Sequence, residues 1–178
     1  SAMRDSARFH FGFTVPFVSH FNAPAAVEAV ANSKGDLALV SATSSRTPWW
    51  LALEAEGAPK IIARLPFIER ADHPAALPVF VISRVADDAR VTEVETWSIR
   101  VSGWNAEIAR ALSPLAEIVA VPDTAFDGAA LLVSVTGDTS LDKITSALIG
   151  VGASVRSTAL VGSHATRYTI PSSGAVRS

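Results

Sequence analysis

Residues 41–50 read SATSSRTPWW, in which five hydroxyl side chains, Ser41, Thr43, Ser44, Ser45 and Thr47, crowd around Arg46 ahead of a Pro-Trp-Trp run. Hydroxyls and a guanidinium grip a carboxylate or phosphate by charge-assisted hydrogen bonds. The grip is stronger where the backbone N–H groups of a starting helix point the same way. The same residues also read as an ordinary helix start. Thr47 would then be the cap, Pro48 the first helical residue, and Ser44 and Ser45 a turn that needs no ligand.

Other reactive side chains are scattered. His10 alternates with Phe9 and Phe11, which suits a structural strand histidine better than a catalytic one. His20 and His73 stand in loops near prolines with no carboxylate at metal-ligand spacing, so no metal site is expected. Asp72 and His73 are adjacent, but no nucleophile accompanies them. Asp87, Asp88, Glu93 and Glu95 read as a solvated linker. Adjacent helical residues point about 100° apart, so one of Trp49 and Trp50 is expected in the core while the other could line a pocket or interface; core packing alone is the favoured reading. No glycine-rich phosphate loop, Gly-x-Ser-x-Gly elbow or His-Glu-x-x-His motif occurs, and no catalytic residue or cofactor is expected.

Composition narrows the function classes. The 178 residues are 49% hydrophobic and 18% charged, enough to bury a core and unlike a disordered chain. With no cysteine, disulfides, zinc–thiolate sites and thiol catalysis are excluded. A net charge of −2 with scattered arginines offers no basic stripe for nucleic acid. No apolar run approaches the roughly 18 residues of a membrane span. The opening SAMRDSARFHF lacks the apolar core of a signal peptide and reads as a tag remnant or the cut end of a longer chain. A cytoplasmic location is expected.

The elements that must position these residues alternate between strand and helix, an α/β (α+β) pattern. Phe9, Phe11 and Phe13 alternate over 8–15, which predicts a half-buried strand. Asn22 caps a predicted helix that stops near Gly35, and residues 36–42 form a buried strand. A helix from Pro48 to about Glu56 follows, closed by Gly57 and Pro59, then strands KIIARLPFI and PVFVISR around the loop ERADHPAAL. The second half reads strand (VETWSIRVSG), helix (WNAEIARALSPLA), strand (AEIVAVPD), strand (GAALLVSVTGD), helix (TSLDKITSALIGVGA), strand (SVRSTALVGSHATRY). Leu141, Ile144, Leu148 and Ile149 are expected on one face of its second helix. This βαββαβ order builds an antiparallel sheet with two helices on one side.

That unit, ending in TALVGSHATRY, resembles the ACT domain that follows the catalytic region of prephenate dehydratases, whose last strand ends in a Leu-Gly-Ser-aromatic turn. Leu160, Gly162 and Ser163 fit the turn, and His164 stands for the aromatic residue, where packing or an interface is its expected role. GDLALVSATSSRTPWWLAL followed by APKIIARLPFI is similar to a stretch of the dehydratase catalytic region built around a Pro-Ile-Glu-Asn-Ser loop. Over residues 8–167 the chain resembles the C-terminal part of alpha-proteobacterial chorismate mutases that carry a degenerate dehydratase-like tail. The resemblance implies a dehydratase-like lobe at 8–90, an ACT-like domain at 91–169 and a disordered tail at 170–178.

Departures from the pattern shape what the resemblance implies. Where dehydratases carry Thr-Arg-Phe, this chain has Pro78, Val79 and Phe80, which supply neither a proton donor nor a carboxylate clamp. Thr43 and Ser44 replace the loop's Glu and Asn, and only Ser45 matches. Residues 67–78 leave no room for the second catalytic lobe. The phenylalanine-holding motifs of the ACT domain are replaced by SGWNAEI and VAVPDTA. The expected role is therefore a non-catalytic accessory region. It would form a homodimer and bind an aromatic amino acid, prephenate or chorismate through Ser41, Thr43, Ser44, Ser45, Arg46 and Thr47. Any mutase active site would lie before Ser1. A dehydratase with rearranged residues and a purely structural module are the alternatives.

Overall fold

A computed structural model describes residues 2–12, 14–42, 46–66, 68–70, 79–84, 93–123, 127–137, 139–166 and 168–170. The elements in chain order are α1 (Ala2–Phe11), α2 (Ala23–Ala31), β1 (Ala38–Ser41), a 3-10 helix (Trp49–Leu53), β2 (Lys60–Leu65), β3 (Ile68–Arg70) and β4 (Val79–Ser83). Then come β5 (Val94–Ser102), α3 (Ala106–Leu112), β6 (Glu117–Asp123), β7 (Gly128–Thr136), α4 (Leu141–Gly150), β8 (Ser154–His164) and β9 (Tyr168–Ile170). The chain is thus the mixed α/β protein its sequence pattern implies.

The second half forms as its order dictates. Its strands lie β8-β5-β7-β6, and every neighbouring pair is antiparallel. That is the ferredoxin-like arrangement of a βαββαβ unit. Asn105 starts α3 by accepting from the N–H groups of Glu107 (2.9 Å) and Ile108 (3.0 Å), and Ser140 starts α4 by accepting from Lys143. Ile108, Leu112, Ile144 and Leu148 pack on Ile99, Val101, Leu131 and Val133 of the sheet. The opposite parity of β7, Ala130 and Leu132, joins a second core with Val27, Val30, Trp49, Trp50, Leu53 and Phe80. Both faces of β7 are covered, so GAALLVSV reads as an unbroken small and apolar run rather than an alternating one.

The two halves share a sheet, in the order β1-β4-β2-β8-β5-β7-β6. The junction is narrow: β2 runs parallel to β8 with the single register pair Ile61↔Gly162. Ser98 Oγ adds a hydrogen bond of 2.6 Å to the carboxylate of Glu54, just past the 3-10 helix.

Four expectations are corrected. Residues 8–11 belong to a helix, not a strand; Met3, Ala7 and Phe11 recur every four residues, Ala7 is buried, and Met3 and Phe11 pack on Leu65, Val79 and Val81. That spacing outweighs the phenylalanine alternation, and Gly12 at φ 93° ends the helix. The helix after Thr47 is a five-residue 3-10 turn; Pro48, not Thr47, holds the cap position, and no side chain caps it. Both tryptophans are buried in the same core, as the core-packing reading expects, in edge-to-face contact with ring centres 5.8 Å apart. In a 3-10 turn side chains three apart eclipse, so Trp50 and Leu53 share one side, and both bury in that core with Trp49. Ile149 is 63% exposed rather than on the packed face of α4. Finally, Leu160, Gly162 and Ser163 lie within strand β8, not in a turn.

Candidate functional site

Of the expected ligand loop, Ser41 is the buried last residue of β1, and Arg46 and Thr47 are exposed ahead of the 3-10 helix. Thr43, Ser44 and Ser45 lie outside the described residues, as do Asp72, His73, Asp87 and Asp88. His10 belongs to α1, and His20 is exposed. The short 3-10 turn is a weaker anion seat than a long α-helix, whose aligned peptide dipoles add up.

The structure builds a different polar site around Arg64 of β2 and Glu117 of β6. Register sets its floor. Across the ladders Glu117 of β6 faces Ser134 of β7, which faces Thr96 of β5. Two residues further along, Val94 of β5 lies between Thr136 of β7 and His164 of β8. The turn at residues 113–116, after α3, forms a wall, and Arg64 of β2 completes a groove of about 470 Å³.

Arg64 is the notable member. It is only 4% exposed, yet it is a guanidinium, a cation with five donors and no acceptor. Its two terminal nitrogens donate to the two carboxylate oxygens of Glu117, a fork-on-fork pair, and its Cζ lies 5.3 Å from the centre of the Phe80 ring. Its Nε is buried without a hydrogen-bond partner. Glu117 has a side chain 51% exposed, so the pair joins a buried cation to an anion that meets water.

This contact reports the shape of the sheet. In strand order, β2 and β6 are separated by β8, β5 and β7. Four steps of about 4.8 Å make roughly 19 Å along the sheet, more than an arginine and a glutamate side chain together span. The sheet therefore curls, with the core of Trp49, Trp50, Phe80 and Leu132 on its concave side.

His164 is 3% exposed, its ring 6.4 Å from that of Phe80, and its Nδ1 lies 2.8 Å from the carbonyl of Ala165. Packing was its expected role, and it also lines the groove. At the rim, Thr166 donates its N–H (3.2 Å) and its hydroxyl to the carboxylate of Glu93. These bonds favour the charged form and lower the Glu93 pKa below the ordinary carboxylate value. A depressed carboxyl contributes stability above its unfolded value and loses it as pH falls through the folded one. Thr166→Val removes the hydroxyl bond and keeps the N–H, so it should raise the Glu93 midpoint part of the way towards the ordinary value in a carbon-detected NMR titration; an unmoved midpoint would show that the hydroxyl latch does not form in solution.

The chemistry on offer is recognition. A buried fork, the hydroxyls of Ser134 and Thr136, and the apolar wall of Pro114, Leu115 and Ala116 suit a small carboxylate with an apolar body. Among the described residues no group of three His, Asp or Glu is placed to hold a metal, and no helix is long and apolar enough to cross a membrane. Sequence reasoning passed over Arg64, Glu117, Ser134, Thr136 and Thr166. The available signal was a single arginine inside the apolar strand KIIARLP. Comparison with protein-family models, curated proteins and solved structures finds no match to this chain.

Proposed function

We propose that this chain is a non-catalytic accessory region of the kind carried by chorismate mutases, which self-associates and binds a small aromatic-pathway carboxylate in the groove at Arg64. The observation that carries the binding reading is a guanidinium 4% exposed at the floor of an open groove. Glu117 supplies the anion a buried cation needs, and its fork geometry is the one a ligand carboxylate would take in its place. The ligand class comes from the resemblance to dehydratase-like tails. Self-association is supported by the edge position of β6, a strand of seven residues with one flank unpaired among the described residues.

Thermal-shift titration with phenylalanine, tyrosine, tryptophan, prephenate and chorismate tests it. A ligand at about 100 times its Kd adds roughly 2.7 kcal/mol, and for a domain of this size each kcal/mol is worth roughly 2–4 °C. A selective rise that is lost in Arg64→Met and kept in Arg46→Ala is expected. Loss in Arg46→Ala alone would move the site to the 41–47 loop, and no rise with any of the five would remove the binding role. Incubation with prephenate should yield no phenylpyruvate, whereas turnover would make the chain a dehydratase.

A further inference from the structure

Resting on that binding reading, we infer that Glu117 is a built-in competitor for the site, a carboxylate of the chain's own that occupies the Arg64 fork until a ligand displaces it. The two partners differ in how they are held. Arg64 is 4% exposed on an interior strand and stacked on Phe80, so it is fixed. Glu117 is the first residue of the edge strand β6, follows directly on the turn that walls the groove, and has half of its side chain in water. Side-chain rotation alone can carry its carboxylate off the fork, with no change in the sheet.

The two-pronged contact is the geometry an incoming carboxylate would adopt on the same nitrogens. Exchange of one carboxylate for another conserves the charge-assisted bonds. The buried Nε of Arg64 has no partner in the closed arrangement, which leaves one donor unsatisfied whichever oxygen of Glu117 is engaged. A tethered competitor acts at a high effective concentration and reduces apparent affinity by the fraction of molecules whose fork is open. Once displaced, it also stands as a like charge beside the bound anion. Both effects act against binding, so the ligand-free groove is self-blocked.

The test measures Kd for phenylalanine and prephenate by isothermal titration on the full chain, comparing wild type with Glu117→Gln, Glu117→Asp and Arg64→Lys. Glu117→Gln removes the charge but keeps the shape; Glu117→Asp keeps the charge but shortens its reach. Each should tighten binding of the accepted ligand by about tenfold or more, and Arg64→Lys should weaken it. Binding seen only in the Glu117 variants would support the inference most directly. Binding that depends on Arg64 but is unchanged or weaker in both Glu117 variants would make Glu117 a simple structural partner and overturn the inference alone. No binding to any of the folded proteins would overturn the underlying reading along with it. Circular dichroism confirms folding, and having two Glu117 variants keeps the test decisive if one of them fails to fold.

Discussion

Gly162→Ala is expected to melt roughly 10 °C below the wild-type chain, while Gly150→Ala melts within a degree or two of it. A β-carbon at position 162 would sit 2.2 Å from the carbonyl oxygen of Ile61 and 2.6 Å from its amide nitrogen. Both are backbone atoms, so no rotamer change relieves the clash; β2 must move away from β8. Overpacking of a well-filled interior commonly costs about 1–3 kcal/mol and occasionally more. Here the upper end applies, because Ile61↔Gly162 is the single register pair between those strands. Separating them also disturbs the core in which Ile61 and Val161 pack with Trp50 and Phe80. At Gly150 an added β-carbon meets nothing within 4 Å, and alanine is the better helix former. Equal melting of Gly162→Ala and wild type would mean that the two halves are not joined there.

The same glycine marks the limit of what the sequence discloses. The βαββαβ half is legible because its signals are local: asparagine and serine caps at Asn105 and Ser140, apolar helix positions at Ile108, Leu112, Ile144 and Leu148, and strands bounded by turns. Residues 2–11 misled for a local reason as well, since a phenylalanine at every second position competes with Met3, Ala7 and Phe11 at every fourth. Gly162 fits a familiar turn pattern, and only the three-dimensional neighbour, Ile61 from the other half, shows why a side chain cannot stand there.

The groove is less legible still. Arg64 and Glu117 are 53 residues apart, and their strands have three others between them. No spacing rule joins them, because the curl of the sheet brings them together. Hydroxyl clusters such as 41–47 catch the eye through density in sequence, whereas a buried fork needs only one arginine at the right parity. Ser134 and Thr136 follow the same logic, as polar members of a strand whose other inward positions, Ala130 and Leu132, are apolar.

Removing each partner of the Arg64–Glu117 pair in turn should give unequal losses. Glu117→Ala leaves a guanidinium 4% exposed with no carboxylate, and should cost about 2–3 kcal/mol in urea unfolding. That is below the roughly 3–5 kcal/mol of a fully buried pair, since half of the Glu117 side chain already meets water and loses little solvation on pairing. Arg64→Met removes the charge, keeps an apolar stem against Phe80, and leaves a Glu117 whose side chain is already half exposed, so it should cost less than Glu117→Ala. The double change Arg64→Met with Glu117→Ala should cost less than the two single changes added together, because no buried guanidinium is then left without a carboxylate. Additive losses in this cycle would mean that the two side chains do not sense each other. The deficit of Glu117→Ala should also shrink when the accepted ligand saturates the groove, since an external carboxylate then fills the vacated fork. A structural ion pair with no binding role would show the stability loss without that recovery, which separates a staple from a site.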